Sequence, residues 1–186
     1  MGRLTSFQSV PNAGVRLLSL NLDIDMDFEF ETAENLKIGD AELTELLTQV
    51  YVEGGFTEAE HAKNLFEPSA VRGRGSLIGV REKRTSELAG VIILVPPDSK
   101  ARRLAKENEV EMQLLGVKSK YRGHGLGKQL VAQTVAMATS DGRSKMVLWT
   151  QQTMVSAQRL YESFGFAQIN NFEQNGRKFF VYALNL

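Results

Sequence analysis

The chain has 186 residues, 42% of them apolar and 24% charged, which suits one domain with a sizeable core. Its 22 Lys+Arg balance 22 Asp+Glu, so no net charge draws the chain as a whole to nucleic acid or to an anionic membrane. There is no cysteine and there are only two histidines, His61 and His124; this excludes a disulfide framework, a thiolate zinc site and a cysteine nucleophile, and no metal site is expected.

No stretch reaches the ~20 apolar residues that a membrane span needs. Residues 1–14 are polar and lack the apolar core of a signal peptide. A soluble, cytoplasmic protein is the expectation. Residues 18–31, LSLNLDIDMDFEFE, alternate apolar and acidic without a fault, the period of a half-buried strand. The run exceeds the usual ~5–6 residues. It reads either as a strand that pairs past the domain, for instance with a second subunit in a homodimer, or as an extension over 1–25 with the domain proper at 26–186.

A helix follows, with Asp40 as cap and Leu43, Leu46, Leu47, Val50 and Tyr51 on one stripe; Gly54-Gly55 stops it. Thr57 and Glu60 read as a capping box for a second short helix that ends before Pro68. The apolar runs 76–80 and 88–95, parted by charged residues, read as a hairpin. Residues 98–109 are a polar loop whose Lys100, Arg102, Arg103 and Lys106 are solvated or meet an anion. A strand over 110–117 leads into the glycine loop KYRGHGLGKQL, and Leu130, Val131, Val135 and Ala138 stripe the next helix. A strand at 145–150 follows, then a helix striped by Ala157, Leu160, Tyr161 and Phe164 and closed by Gly165. Asn175-Gly176 marks a terminal type I′ hairpin. The fold class is α/β, a mixed sheet with helices on its faces.

Strand, glycine loop, helix is an order that binds phosphate, because unpaired N–H groups and the helix dipole converge at the helix N-terminus. A Walker-type loop fails here: Arg122 stands where its first glycine belongs and Gln129 follows Lys128. The dinucleotide fingerprint fails as well, since its third glycine would fall on Lys128 or Leu130. The pattern that fits is Arg122-Gly123-His124-Gly125-Leu126-Gly127. It resembles the acyl-CoA pyrophosphate loop of the GNAT superfamily of N-acetyltransferases. A second stretch, VLWTQQTMVSAQRLYESFGF, is similar to that family's fifth strand and following helix. It carries A-x-x-L-Y-x-x-x-G-F at Ala157, Leu160, Tyr161, Gly165 and Phe166. One position departs from the family: Met154 stands where many relatives have an Asn that touches the cofactor.

The resemblance implies a mostly antiparallel sheet of about seven strands flanked by four helices. It implies transfer of an acetyl group from acetyl-CoA to a primary amine of a small molecule or peptide. Direct attack in a ternary complex is expected, without metal, nucleic acid or membrane as partner. The alternative is a CoA-binding sensor or subunit module without turnover. The backbone of Gly123, His124, Gly125, Leu126, Gly127 and Lys128, with the charge of Arg122, would hold the diphosphate. Leu115, Gly116 and Val117 would pair with the pantetheine arm, and the Leu115 N–H could face the thioester oxygen. The attacking amine needs a base, for which Glu111 is the candidate and Glu109 the alternative. Strand alternation puts Glu111 on one face with Gln113, Leu115 and Val117. Tyr161 matches the tyrosine that protonates the leaving thiolate, or else fills a core position. His124 reads as a solvent-facing loop residue, His61 lies on the acceptor side, and Trp149 is core or cleft wall.

Overall fold

The computed structural model describes residues 27–186. The extension at 1–25 and the strand expected over 18–26 lie outside the described residues. Within them the alternating run ends as β1 (Phe28–Thr32), with Phe28 buried and Glu29 exposed. The elements that follow are α1 (Asp40–Leu47), continued by a π-helical turn at Thr48–Val52, α2 (Ala59–Leu65), α3 (Pro68–Arg72), β2 (Ser76–Glu82), β3 (Leu88–Val95) and β4 (Glu109–Val117). After the glycine loop come α4 (Leu126–Ser140), β5 (Lys145–Gln151), α5 (Val155–Ser163), β6 (Ala167–Gln174) and β7 (Arg177–Asn185). The seven strands form one sheet in the order β1-β2-β3-β4-β5-β7-β6. Only β4 and β5 run parallel; every other neighbouring pair is antiparallel.

β3 shows why the sheet is stable. All eight of its residues are buried. Ile92 and Leu94 pack in one layer with Leu130 and Val131 of α4 and Tyr161 of α5. Val91, Ile93 and Val95 pack in the other layer with Leu43, Leu46 and Leu47 of α1. A strand covered on both faces reads as a continuous apolar run, not as an alternation. The hairpin between β6 and β7 turns on Asn175 and Gly176, both at positive φ (51° and 69°), as a type I′ turn requires.

Three local expectations are corrected. Gly39, not Asp40, caps α1; its N–H donates to Glu42 Oε1 at 2.7 Å, the half of a capping box that the glutamate makes, while glycine has no side chain to make the other half. Thr57 does not cap α2, whose N-cap is Glu58 without a side-chain bond. Pro68 does not only end a helix. It also occupies the first turn of a fifth, α3, where its missing N–H costs nothing, and Glu67 caps that turn by accepting from the Ala70 N–H at 2.7 Å.

The fourth correction matters most. Leu114 sits at φ 51°, and the β3 register shifts opposite it: Ile93 faces Gln113, but Val91 faces Gly116. This is a β-bulge, and it breaks the alternation of β4. Val110 and Met112 join the α4 layer, and so do Leu115 and Val117, while Leu114 joins the α1 layer. Glu111 therefore does not share a face with Leu115 and Val117. The bulge also ends the pairing with β5, which covers only Glu109, Val110 and Glu111. Beyond Glu111 the strands part. β5 stays paired with β7 out to Gln151. The second half of β4 is left with no strand on that side, so its backbone groups face a notch in the sheet.

Candidate active site

Two concave sites lie along the free half of β4. The smaller, about 310 Å³, is lined by Val117, Tyr121, Arg122, Gly123, Gly125, Leu126, Gly127, Lys128 and Leu160. Seven of the ten residues expected to hold the cofactor are thus brought together, six of them from the diphosphate set and Val117 from the pantetheine set. Gly123 and Gly125 adopt positive φ (86° and 73°), and a Cβ at either would meet nothing within 4 Å. Conformation, not crowding, is what requires glycine there. Gly125 is the N-cap of α4, so the first N–H groups of a 15-residue helix open onto this site. Three of the expected residues act otherwise. His124 turns its Nδ1 back to the carbonyls of Tyr121 and Arg122 and rests its ring against Phe28. Gly116 is buried, and a Cβ there would make ordinary contact with Leu46 and Val50. Leu115 lies around the corner, in the larger cleft.

That cleft is about 750 Å³. One wall is β4 from Met112 to Leu115, and the opposite one is the end of β5, Trp149 to Gln151. α2 with His61, the tip of the terminal hairpin, and Arg74 and Arg103 complete it. Bonds across the rim hold it in shape. Gln151 Nε2 donates to the Phe56 carbonyl at 2.5 Å, and Arg177 donates to the Gly55 carbonyl at 2.9 Å while pairing with Glu58 at 2.7 Å.

Tyr161 lies in the cleft, next in α5 to Leu160, which lines the smaller site. It is 6% exposed, lines the cleft, and its hydroxyl has no hydrogen-bond partner among the described residues. Burial pushes its pKa well above the ordinary tyrosine value, so it keeps its proton at neutral pH. Tyr51, also on the cleft wall, donates its hydroxyl to the Leu115 carbonyl at 2.9 Å. Its pKa is raised too, first by burial and then by Tyr161 nearby, against the opposing charge of Arg74. Sequence reasoning placed Tyr51 on a core stripe and missed this contact, which depends on two elements 64 residues apart.

Glu111 does not reach the cleft. It is fully buried beneath the 98–108 loop, on the face of β4 that it shares with Gln113. Its Oε1 accepts from the backbone N–H groups of Arg103 (2.6 Å), Leu104 and Ala105 (2.8 Å), and its Oε2 from Gln113 Nε2 (2.9 Å). A carboxylate with four donors on it braces the 98–108 loop and is not placed to take a proton from an amine. Glu109, the alternative, is tied to the Lys106 N–H (2.9 Å) and to Lys145 (3.2 Å) at the other end of the strand. The carboxylates that do line the cleft are Glu58, paired with Arg177, and Glu60, paired with Lys63 at 2.8 Å. His61 lines it with no hydrogen bond or ion pair among the described residues. Trp149 forms cleft wall, with the Arg103 guanidinium 5.9 Å from its ring centre. Met154 lines the cleft and takes a contact from the Thr150 hydroxyl at 3.3 Å.

Among the described residues no group of three His, Asp or Glu is placed to hold a metal, and no helix is long and apolar enough to cross a membrane. The family model described as the Acetyltransferase (GNAT) family matches residues 41–166. Among curated proteins the chain is similar to the N-acetylaspartate synthetase of Xenopus tropicalis, 35% identical over 75 residues, 40% of this chain and 28% of that protein. It is also similar to human N-acetyltransferase 8B, 31% identical over 106 residues, 57% of this chain and 42% of that protein. The chain thus spans less than half the length of these relatives. Among solved structures, an acetyltransferase from Streptococcus agalactiae shares the fold at a TM-score of 0.68 and 19% identity, over 87% of this chain and 99% of that one. A Bacillus subtilis acetyltransferase in complex with CoA does so at 0.61 and 21%, over 86% and 99%.

Proposed function

The chain belongs to the GNAT acetyltransferase family, and from that premise we propose that it transfers an acetyl group from acetyl-CoA to a primary amine of a small molecule or peptide. The observation that carries this reading is that β4 and α5 line both sites, Leu115 and Tyr161 in the cleft and Val117 and Leu160 in the glycine-loop site.

The fit to acetyl-CoA rests on what this backbone leaves open. The glycine loop and the first turn of α4 present N–H groups to a diphosphate, and Arg122 and Lys128 add positive charge beside them. The free backbone groups of β4 can pair with the amides of a pantetheine arm as a neighbouring strand would. Acetyl-CoA supplies the activated acetyl group. The Leu115 N–H would donate to the acetyl oxygen, where charge develops. Tyr161, kept protonated by burial, donates its proton to the departing sulfur. With Glu111 and Glu109 committed elsewhere, His61 is the cleft-lining base free to accept the proton of the amine, through water. No cysteine exists to carry the acetyl group, so attack is direct.

Calorimetric titration with acetyl-CoA, free CoA and ATP tests this reading. Wild type should bind acetyl-CoA, and Gly125→Val should weaken binding about tenfold or more, because valine disfavours φ 73° and shields the helix N-terminus. Absence of acetyl-CoA binding to folded wild type would end the proposal. The second reading, a CoA-binding module without turnover, is favoured by one observation, the withdrawal of Glu111 from the cleft. It predicts acetyl-CoA binding with no thiol release for any amine.

A further inference from the structure

The larger cleft contains an imbalance of charge that acetyl transfer alone does not use. Arg74 is half-buried in its wall, and Arg103 lies on the rim. Neither forms an ion pair with a carboxylate among the described residues, whereas Arg72, Arg81 and Arg177 all do. Arg74 donates only to neutral oxygens, the Leu65 carbonyl at 2.6 Å and Gln113 Oε1 at 3.3 Å. Its position is costly: burial, and then the nearby charge of Arg103, pull its pKa below the ordinary guanidinium value. Two like charges that repel each other across a cleft, one of them partly desolvated, are retained at a cost in stability unless an anion sits between them.

We infer that Arg74 and Arg103 seat a carboxylate of the acceptor, and that the acceptor is a small amino acid-like amine. The inference rests on the acetyl-transfer reading of the same cleft. The anion matches a single charge: one guanidinium is withdrawn from solvent, and the other is exposed and screened over Trp149. A planar carboxylate suits the fork of an arginine. The acceptor is short, because Arg74, Arg103 and Tyr161 all line one cleft of about 750 Å³. Gln113 explains how Arg74 is aimed. Its amide nitrogen is held by Glu111 Oε2 and the Ala101 carbonyl, which leaves its oxygen toward the guanidinium. Glu111 thus acts on the acceptor site indirectly, through Gln113, as a positioning residue.

The experiment uses the full chain with the common amino acids as probes, each beside its amide and its decarboxylated amine. Two readouts run in parallel: the rise in melting temperature at about 10 mM probe, which needs no turnover, and thiol release at saturating acetyl-CoA. At least one amino acid should raise the melting temperature more than its amide does, and should exceed it about tenfold or more in kcat/KM. Arg103→Gln, at an exposed position, should lower the amino acid's advantage over its amide about tenfold, read as the ratio of their kcat/KM values. Arg74→Gln should remove it further. Equal or better use of the amide, no amino acid bound at all, or a preference that survives both substitutions overturns the inference. If acetyl-CoA still binds in that case, the acetyl-transfer reading stands without it. Failure of acetyl-CoA to bind is a separate result that strikes the reading itself.

Discussion

The backbone N–H of Phe166 donates to the carbonyl of Tyr161 at 3.2 Å. With the Gly165 N–H on the Glu162 carbonyl at 2.9 Å and Gly165 at φ 86°, this is a complete Schellman closure of α5. The Phe166 ring then packs 5.9 Å from that of Tyr161. The motif that ends the helix therefore also fixes the tyrosine in the cleft.

That anchorage separates the ring of Tyr161 from its hydroxyl. Tyr161→Phe keeps the ring packing and removes a hydroxyl that bonds to nothing in the described protein. Melting temperature and acetyl-CoA affinity should stay near wild type, while kcat falls about 100-fold. A full-rate Tyr161→Phe enzyme would assign the tyrosine to the core alone.

Glu111→Gln is expected to act on stability instead of on proton transfer. An amide at that position turns one N–H pair toward donors already present around it. The loss should be about 3 kcal/mol, or roughly 10 °C in Tm, with acetyl-CoA affinity retained. Thermal melts beside calorimetry check this. A stable Glu111→Gln protein with abolished turnover would restore the glutamate as the base.

His61→Ala removes the base proposed for the amine. Because His61 is exposed and makes no bond among the described residues, the variant should fold and bind acetyl-CoA as wild type does. Its kcat should fall by about 10- to 100-fold. Unchanged thiol release would leave deprotonation to solvent.

Acid should loosen the glycine loop through Glu87. This carboxylate accepts from Lys120, Lys118 and Tyr121, just before the loop. Lys120 first of all, and then Lys118 and Tyr121, outweigh its burial and hold its pKa down from 4.5 to about 2. A carboxyl depressed on folding adds stability above its unfolded value and loses it as pH falls through its folded one. That contribution should fade between pH 4.5 and about 2. Thermal melts across that window should show a shallower decline for Glu87→Gln than for wild type.

Much of the architecture was legible because local chemistry and tertiary position agree. Asn175-Gly176 turns where a type I′ turn demands two positive φ values. Gly165 ends a helix that only glycine ends so readily. Gly123 and Gly125 mark a loop whose conformation needs them. What stayed hidden depends on elements distant in the chain. Leucine at φ 51° gives no sign of a bulge, and the bulge decides which face Glu111 shares. Alternation shows that Glu111 and Gln113 point the same way, but not that the 98–108 loop folds over them. Arg74 follows a short helix in a turn, where no period predicts the direction of a side chain. Pro68 was ambiguous for a physical reason: the ring that stops one helix is well suited to start the next.

The parting of β4 from β5 also bears on how the molecule holds together. The sheet is clasped at one end by three residue pairs between β4 and β5 and at the other by the bonds of Gln151 and Arg177 to the 55–56 turn. Between those clasps no ladder joins its two wings. Amide hydrogens of β4 beyond Glu111 that point into the gap have no strand to shield them, and they should exchange with solvent sooner than those of β3. A molecule lodged in the gap would act as a surrogate strand, so occupancy and the rigidity of the whole sheet would rise together.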